Sequence, residues 1–323
     1  MKKQKVLLFG AGVLGSLYAA RLQEAGADVT LLARGARYAD LKKHGIVLRC
    51  FETGKETTTR VRLVSEMPAD EYFDLCVAAV QKTQLSSALA VLKKNSQIPV
   101  FLFLNNTAEG PQEMIDALGR ERVMLSHGNA GGERDGHIVH YMIAEEMPIG
   151  ELDGTISDRL KRIASLLEKA GFSVDLCNDI ISWKLYHVAL AVPFAYAMEL
   201  HGACNIQLSH NRKDVGRCLD GIREGIAVLR ALGYPVEPGK LRLAFAIPNF
   251  ILVPLFQRVL RAKIADIGMA RHLRNARDEM KKLSREFFVL VDKSGINTPV
   301  LNQLKDSAEK IQIKEFDGCK TAR

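Results

Sequence analysis

The 323-residue sequence contains no Cys-x-x-Cys pair and no histidine cluster near its six cysteines, so it carries the pattern of neither a zinc site nor a disulfide framework. Cys50, Cys76, Cys177, Cys204, Cys218 and Cys319 lie far apart and read as reduced packing thiols. P-loop, HExxH and Ser-His-Asp patterns are missing too, and no metal site is expected. Nor does any segment read as a bilayer span. The basic start Met-Lys-Lys-Gln-Lys is followed only by Val6 to Phe9 before a glycine turn, too short for a signal sequence, so a cytoplasmic protein with no membrane partner is expected. Aromatics make up 7% of the chain, with one tryptophan, and supply no stacking platform. The net charge of +8 and the crowd of Arg258, Arg261, Lys263, Arg271, Arg274, Arg277, Lys281, Lys282 and Arg285 therefore do not indicate nucleic acid. These cations recur at helical spacing and read as a solvated face that attracts an anionic cofactor or substrate.

What is present begins at once. Val6-Leu7-Leu8-Phe9 is a buried-strand tetrad entering the turn Gly10-Ala11-Gly12-Val13-Leu14-Gly15. Leu14, Leu17, Tyr18 and Leu22 then recur at helical spacing until Gly26, and Val29-Thr30-Leu31-Leu32-Ala33-Arg34 is a second strand. In such a β-α-β unit the first glycine makes the turn, the second lets amides approach a pyrophosphate, and the third lets helix and strand pack closely. A dinucleotide site is expected on Gly10 to Gly15. An NAD site commonly places a carboxylate about twenty residues on, to accept from the ribose hydroxyl. Here the strand ends at Arg34 with Arg37 behind it, and a guanidinium fork suits a 2′-phosphate, so NADP(H) is expected.

The same grammar continues through strand-like runs at 73–80, 100–104 and 123–125, with helix-like segments at 85–92 and 111–118 between them. That alternation implies an α/β domain with a doubly wound parallel sheet. An alternating run at 136–143 reads as an added strand, 157–170 as a helix, and 172–176 as a last strand. After residue 177 only helical periods follow, at 179–201 with a kink at Pro193, then 214–232, 238–264 and 270–294, with a polar tail at 316–323. The expected organisation is thus a Rossmann domain over 1–177 and an all-α substrate and dimerisation domain over 178–323.

This arrangement resembles the ketopantoate reductase family over nearly the whole chain. The shared marks are GAGVLGS with Arg34, the Leu104-Asn105-Asn106 loop, Trp183-Lys184-Leu185 with Pro193 following, and Glu279 followed by Gly295-Ile296-Asn297-Thr298-Pro299. The resemblance implies NADPH-dependent reduction of a small 2-oxo acid, 2-dehydropantoate to pantoate, in a cleft between the domains. It implies Lys184 as the catalytic lysine, Glu279 as the carboxylate that holds the substrate and orients that lysine, and Asn106 as an amide near cofactor or carbonyl. A homodimer is expected as well. The chemistry needs such groups, because hydride arriving at a ketone leaves charge on oxygen that an adjacent acid must quench.

The sequence also departs from the family. The family's asparagines four and eight residues after the lysine are Val188 and Val192 here, and its substrate serine falls at Ile267-Gly268. Its first-domain K-x-x-Q reads Gln81-Lys82-Thr83-Gln84, which leaves Gln81 and Lys82 as candidates for one cofactor contact. His187, one turn from Lys184, is a candidate acid or carboxylate partner, and His127 lies in a glycine-rich loop after a strand. The alternatives are a paralogous reductase of a bulkier apolar carbonyl compound and a non-catalytic NADP(H) sensor.

Overall fold

The computed structural model describes residues 3–143 and 146–311. Its backbone divides into two units, Met1–Asn106 with Gly110–Ile181, and Thr107–Glu109 with Ser182–Arg323.

The first unit runs β1 (Lys5–Phe9), α1 (Val13–Glu24), β2 (Asp28–Leu32), α2 (Gly35–His44), β3 (Ile46–Cys50), β4 (Glu56–Thr59), β5 (Arg62–Val64) and β6 (Leu75–Ala78). It continues through α3 (Leu85–Leu92), β7 (Phe101–Phe103), α4 (Gln112–Leu118), β8 (Val123–Ser126), β9 (Ala130–Asp135), β10 (Ile138–Ile143), β11 (Met147–Glu151), α5 (Asp158–Lys169) and β12 (Val174–Leu176). The main sheet has the order β12-β11-β8-β7-β6-β1-β2-β5. Its ladders are parallel except where β11 joins β8. β1 is an interior strand between β6 and β2, and Val6, Leu7 and Leu8 are wholly buried, as helices on both faces of a parallel sheet require. The chain leaves β1 toward β2 on one side and returns as β6 on the other, which makes the carboxyl end of β1 the switch point of the sheet.

A second sheet, β4-β3-β10-β9, covers α1. Arg21 on α1 donates to the Tyr141 hydroxyl at 2.6 Å, and Thr59 donates to Glu24 at 2.5 Å. Tyr18 on another face of α1 stacks on Phe172 with ring centroids 4.3 Å apart. The alternating run at 136–143 is therefore β10 of this separate sheet. It pairs with β3 and β9, with β4 beyond β3; the sheet is hidden in sequence because β4 is Glu-Thr-Thr-Thr and β9 is rich in glycine. Gly132 has to be glycine, since a Cβ there would stand 2.1 Å from the His140 carbonyl oxygen.

The second unit contains α6 (Ile180–Glu199), α7 (Asn205–His210), α8 (Arg212–Ala231), α9 (Lys240–Ala244), α10 (Asn249–Leu260), α11 (Lys263–Ala265), α12 (Arg271–Asn275), α13 (Arg277–Ser294) and α14 (Pro299–Glu309). Among the described residues no strand follows β12, and the fold is a Rossmann-type α/β domain followed by a helical one. The long helices expected at 238–264 and 270–294 are broken. Pro248 disfavours helix at the residue before it and so breaks the first, and non-helical Ala276 interrupts the second, which a π-turn over Asp266–Ala270 precedes. The Gly295-to-Pro299 segment is a joint. Gly295 ends α13 in the left-handed region at φ 66°, and Pro299 opens α14. Glu224 on α8 then accepts from the amides of Val300 and Leu301 at 3.1 and 2.7 Å, fixing the start of α14.

Two expectations need correction. Cys50, Cys76, Cys177 and Cys218 are free thiols, but Cys204 is disulfide-bonded, because folding rather than sequence spacing decides which thiols meet; Cys319 and the tail at 316–323 lie outside the described residues. The helix Ile180–Glu199 is long and apolar enough by composition to cross a membrane, contrary to the expectation that no segment approaches that length. It is 67% buried within the fold, as a core helix of a globular unit is.

Candidate active site

The glycine loop closes the carboxyl end of β1. Gly10 takes φ 102°, and a Cβ on it would lie 2.4 Å from the Ala79 carbonyl oxygen, so the neighbouring strand passes against the turn. Gly12, by contrast, has nothing within 4 Å of where its Cβ would be, and it is the N-cap of α1. No side chain caps that helix and no acidic residue occupies its first turn, which leaves an electropositive amide terminus facing open space. Ala11, Val13 and Leu14 are half-buried around it. These features fit a pyrophosphate: the approach past Gly12 is clear, and the first turn of α1 carries no carboxylate to oppose it.

Two arginines near this loop differ in placement. Arg34 caps α2 from the end of β2, is exposed, and among the described residues makes no side-chain hydrogen bond or ion pair. Arg37 turns inward, donating to the Ala11 carbonyl oxygen at 3.1 Å, to Ser16 at 3.0 Å and to Asp40 at 2.5 Å. Of the K-x-x-Q region, Gln81 is exposed, while Lys82 is buried with its ammonium 3.9 Å from Glu113. Asn106 follows β7 at the same end of the sheet and is half-buried. Its neighbour Asn105 is 5% exposed, donates to the Asn106 carbonyl oxygen at 3.0 Å, and keeps its own Oδ1 buried without a hydrogen bond. Such an atom carries a desolvation cost of roughly 1–3 kcal/mol that an incoming donor would relieve.

In the second unit α6 carries Lys184 one turn in. Lys184 is 2% exposed, and burial lowers its ammonium from the ordinary 10.5 to about 7. Val188 and Val192 follow at intervals of four on the same face, each 1% exposed. His187 is half-buried and lies flat against Trp183, rings 5.4 Å apart and 7° from parallel. Glu279 is buried in the first turn of α13. α13 meets α6 through the hydroxyls of Tyr196 and Ser284. At the position of the expected substrate serine, Ile267 is buried and Gly268 opens onto empty space within the π-turn. Neighbouring Asp266 is buried and holds Arg271 and Arg274 at 2.8 and 3.2 Å. His127 is half-buried between β8 and β9.

Sequence reasoning missed Glu286. It is buried on α13, two turns beyond Glu279 and on nearly the same face, and accepts from the Ala108 amide at 2.9 Å, just past the Asn106 loop. Its spacing of seven from Glu279 was the one available signal.

A family model described as "Ketopantoate reductase PanE/ApbA" matches residues 6–154. The 2-dehydropantoate 2-reductase of Aquifex aeolicus is 23% identical over 322 residues, covering 96% of this chain and 99% of that protein. The enzyme of the same description from Archaeoglobus fulgidus is 30% identical over 184 residues, covering 56% and 58%. Among solved structures, 2-dehydropantoate 2-reductase from Geobacter metallireducens superposes with a TM-score of 0.77 at 18% identity, covering 95% of this chain and 99% of that one. A D-mandelate dehydrogenase with NADH and anilino(oxo)acetate superposes with a TM-score of 0.75 at 15% identity, covering 95% and 97%. At these identities the structural likeness speaks to the fold.

Proposed function

Because the chain is a divergent member of the ketopantoate reductase family, we propose that it is an NADP(H)-dependent reductase of a small 2-oxo acid, acting in the manner of 2-dehydropantoate reduction to pantoate. The first unit holds the dinucleotide on Gly10 to Gly15, with Arg34 gripping the 2′-phosphate and Asn106 at the nicotinamide end. The bound nicotinamide supplies the hydride. Lys184 donates a proton from Nζ to the carbonyl oxygen as it becomes an alkoxide, so C=O becomes CH–OH. Glu279 binds the substrate's polar end and orients the lysine, and His187 stands one turn away as a second proton carrier. The small-molecule substrate needs neither nucleic acid nor membrane, and a cytoplasmic setting suits it.

The observation that carries this reading is the buried ammonium of Lys184, brought to about 7 in a chain that belongs to an oxidoreductase family. A general acid works best with a pKa near the operating pH. The test is NADPH oxidation across a panel of 2-oxo acids by native protein and Lys184→Ala. Turnover that the variant loses supports the reading; tight NADPH binding with silence across the panel would instead indicate a sensor.

A second reading concerns the substrate side chain. Val188 and Val192 continue the Lys184 face with no hydrogen-bonding atom, and the D-mandelate dehydrogenase fold neighbour holds an aryl-bearing oxo acid derivative. Both favour an apolar 2-oxo acid over ketopantoate.

A further inference from the structure

Arg37 uses every arm of its guanidinium on the protein. Nε goes to the Ala11 carbonyl oxygen inside the glycine loop, Nη2 to Ser16 in the first turn of α1, and Nη1 to Asp40 one turn along α2. Its side chain is 10% exposed. With three of its five N–H groups engaged and the Asp40 carboxylate against it, this fork is committed to the protein rather than to a phosphate. Arg34, three residues earlier, is exposed and unengaged. Ala11 lies between Gly10 and Gly12, residues with little intrinsic preference for one backbone conformation, so the loop's shape has to be imposed from outside. Ser16 answers from the other side, its hydroxyl donating to the Ala11 carbonyl oxygen at 3.3 Å while it accepts from Arg37.

We infer that Arg37 is a positioning residue that braces the glycine loop against α1 and α2, and that Arg34 alone reads the 2′-phosphate. The two arginines divide one task. Arg37 sets the loop for the pyrophosphate, which NADH and NADPH share; Arg34 answers to the group by which they differ. This rests on the dinucleotide reading above, but the brace itself exists without ligand and is testable without it.

The experiment compares native protein, Arg37→Ala, Arg37→Lys and Arg34→Ala. Amide hydrogen exchange of ligand-free protein over residues 10–16 is expected to rise at least about tenfold in both Arg37 variants, since lysine keeps the charge but lacks the fork, and to stay unchanged in Arg34→Ala. Calorimetric titration is expected to show Arg37→Ala weakening NADH and NADPH by the same factor, on the order of tenfold, while Arg34→Ala weakens NADPH alone. Exchange unchanged in Arg37→Ala, or a loss confined to NADPH in that variant, overturns the inference. Should Arg37→Ala fail to fold, Ser16→Ala removes one arm and is read the same way. Native protein that binds neither nucleotide, with loop exchange still responding to Arg37, would sink the dinucleotide reading and leave the brace standing.

Discussion

A Cβ placed on Gly15 would stand 1.7 Å from the carbonyl oxygen of Gly10, so the two glycines of the loop touch backbone to backbone. Gly12, three residues before Gly15, faces open space. The same substitution is therefore expected to do different things at the two positions. Gly15→Ala cannot be accommodated without moving the loop off β1 and should lower Tm clearly or prevent folding. Gly12→Ala should leave Tm within about a degree of native, yet weaken dinucleotide binding on the order of tenfold, because the methyl fills the pyrophosphate approach. Thermal melts beside nucleotide titrations check both, and equal Tm losses would mean that Gly12 is structural.

Arg34→Ala is expected to reduce NADPH affinity at least about tenfold while changing NADH affinity less than about twofold, the loss of one charge-assisted phosphate contact. Because an exposed guanidinium is screened by salt, the native preference for NADPH should shrink as ionic strength rises. Equal affinities in native protein at low salt would remove the 2′-phosphate reading.

Lys184 makes a pH prediction with two signs. As a general acid it must be protonated, so the reduction rate should fall as pH rises through about 7, the value to which burial brings it. Lys184→Ala should lose about 10²–10⁴-fold in turnover with NADPH binding nearly intact. Stability runs the other way. The unfolded lysine keeps its ordinary pKa of 10.5, so between about 7 and 10.5 the unfolded chain binds more protons and stability rises with pH. The penalty for burying the ammonium is complete below about 7. Lys184→Met should therefore melt higher than native near pH 6, with the gap closing toward pH 10. A pH-independent gap would mean that the ammonium is not desolvated.

Val188 and Val192 give the substrate prediction. The native protein is expected to use branched or aryl 2-oxo acids with higher kcat/KM than ketopantoate. Val188→Asn should shift that ratio toward ketopantoate and cost about 1–3 kcal/mol of stability in the absence of substrate, since the new amide is buried. Pro193 adjoins the second position, so the single variant is the cleaner probe. Native kcat/KM on ketopantoate of about 10⁴ M⁻¹s⁻¹ or better would show that other groups bind the substrate.

Glu224→Ala is expected to cost about 1–2 kcal/mol, measured by denaturant unfolding, because it strips two amides at the start of α14 of their acceptor. Activity per folded molecule should be unchanged. A selective loss of turnover would give the Gly295-to-Pro299 joint a part in the site rather than in the fold.

The parts of this protein written in local sequence are those whose physics is local. Val6 to Gly15 specifies a strand, a turn and a helix start, because each glycine is demanded by backbone geometry within a few residues of itself. The period of four from Lys184 to Val192 specifies one helix face, and Gly295 with Pro299 a helix joint. Tertiary structure decided the rest. Only the fold shows that Arg34 stays free while Arg37 is spent on Ala11, Ser16 and Asp40, although the two are three residues apart on one turn. The second sheet escaped notice because β3 and β10 pair across about ninety residues and β4 and β9 hold too little apolar surface to announce themselves. Glu286 was hidden for the same reason: its acceptor role depends on the Ala108 amide, 178 residues away in the chain. Periodicity and turn chemistry act between near neighbours and can be read along a chain, whereas burial, and with it the lowered pKa of Lys184, is conferred by segments that meet only on folding.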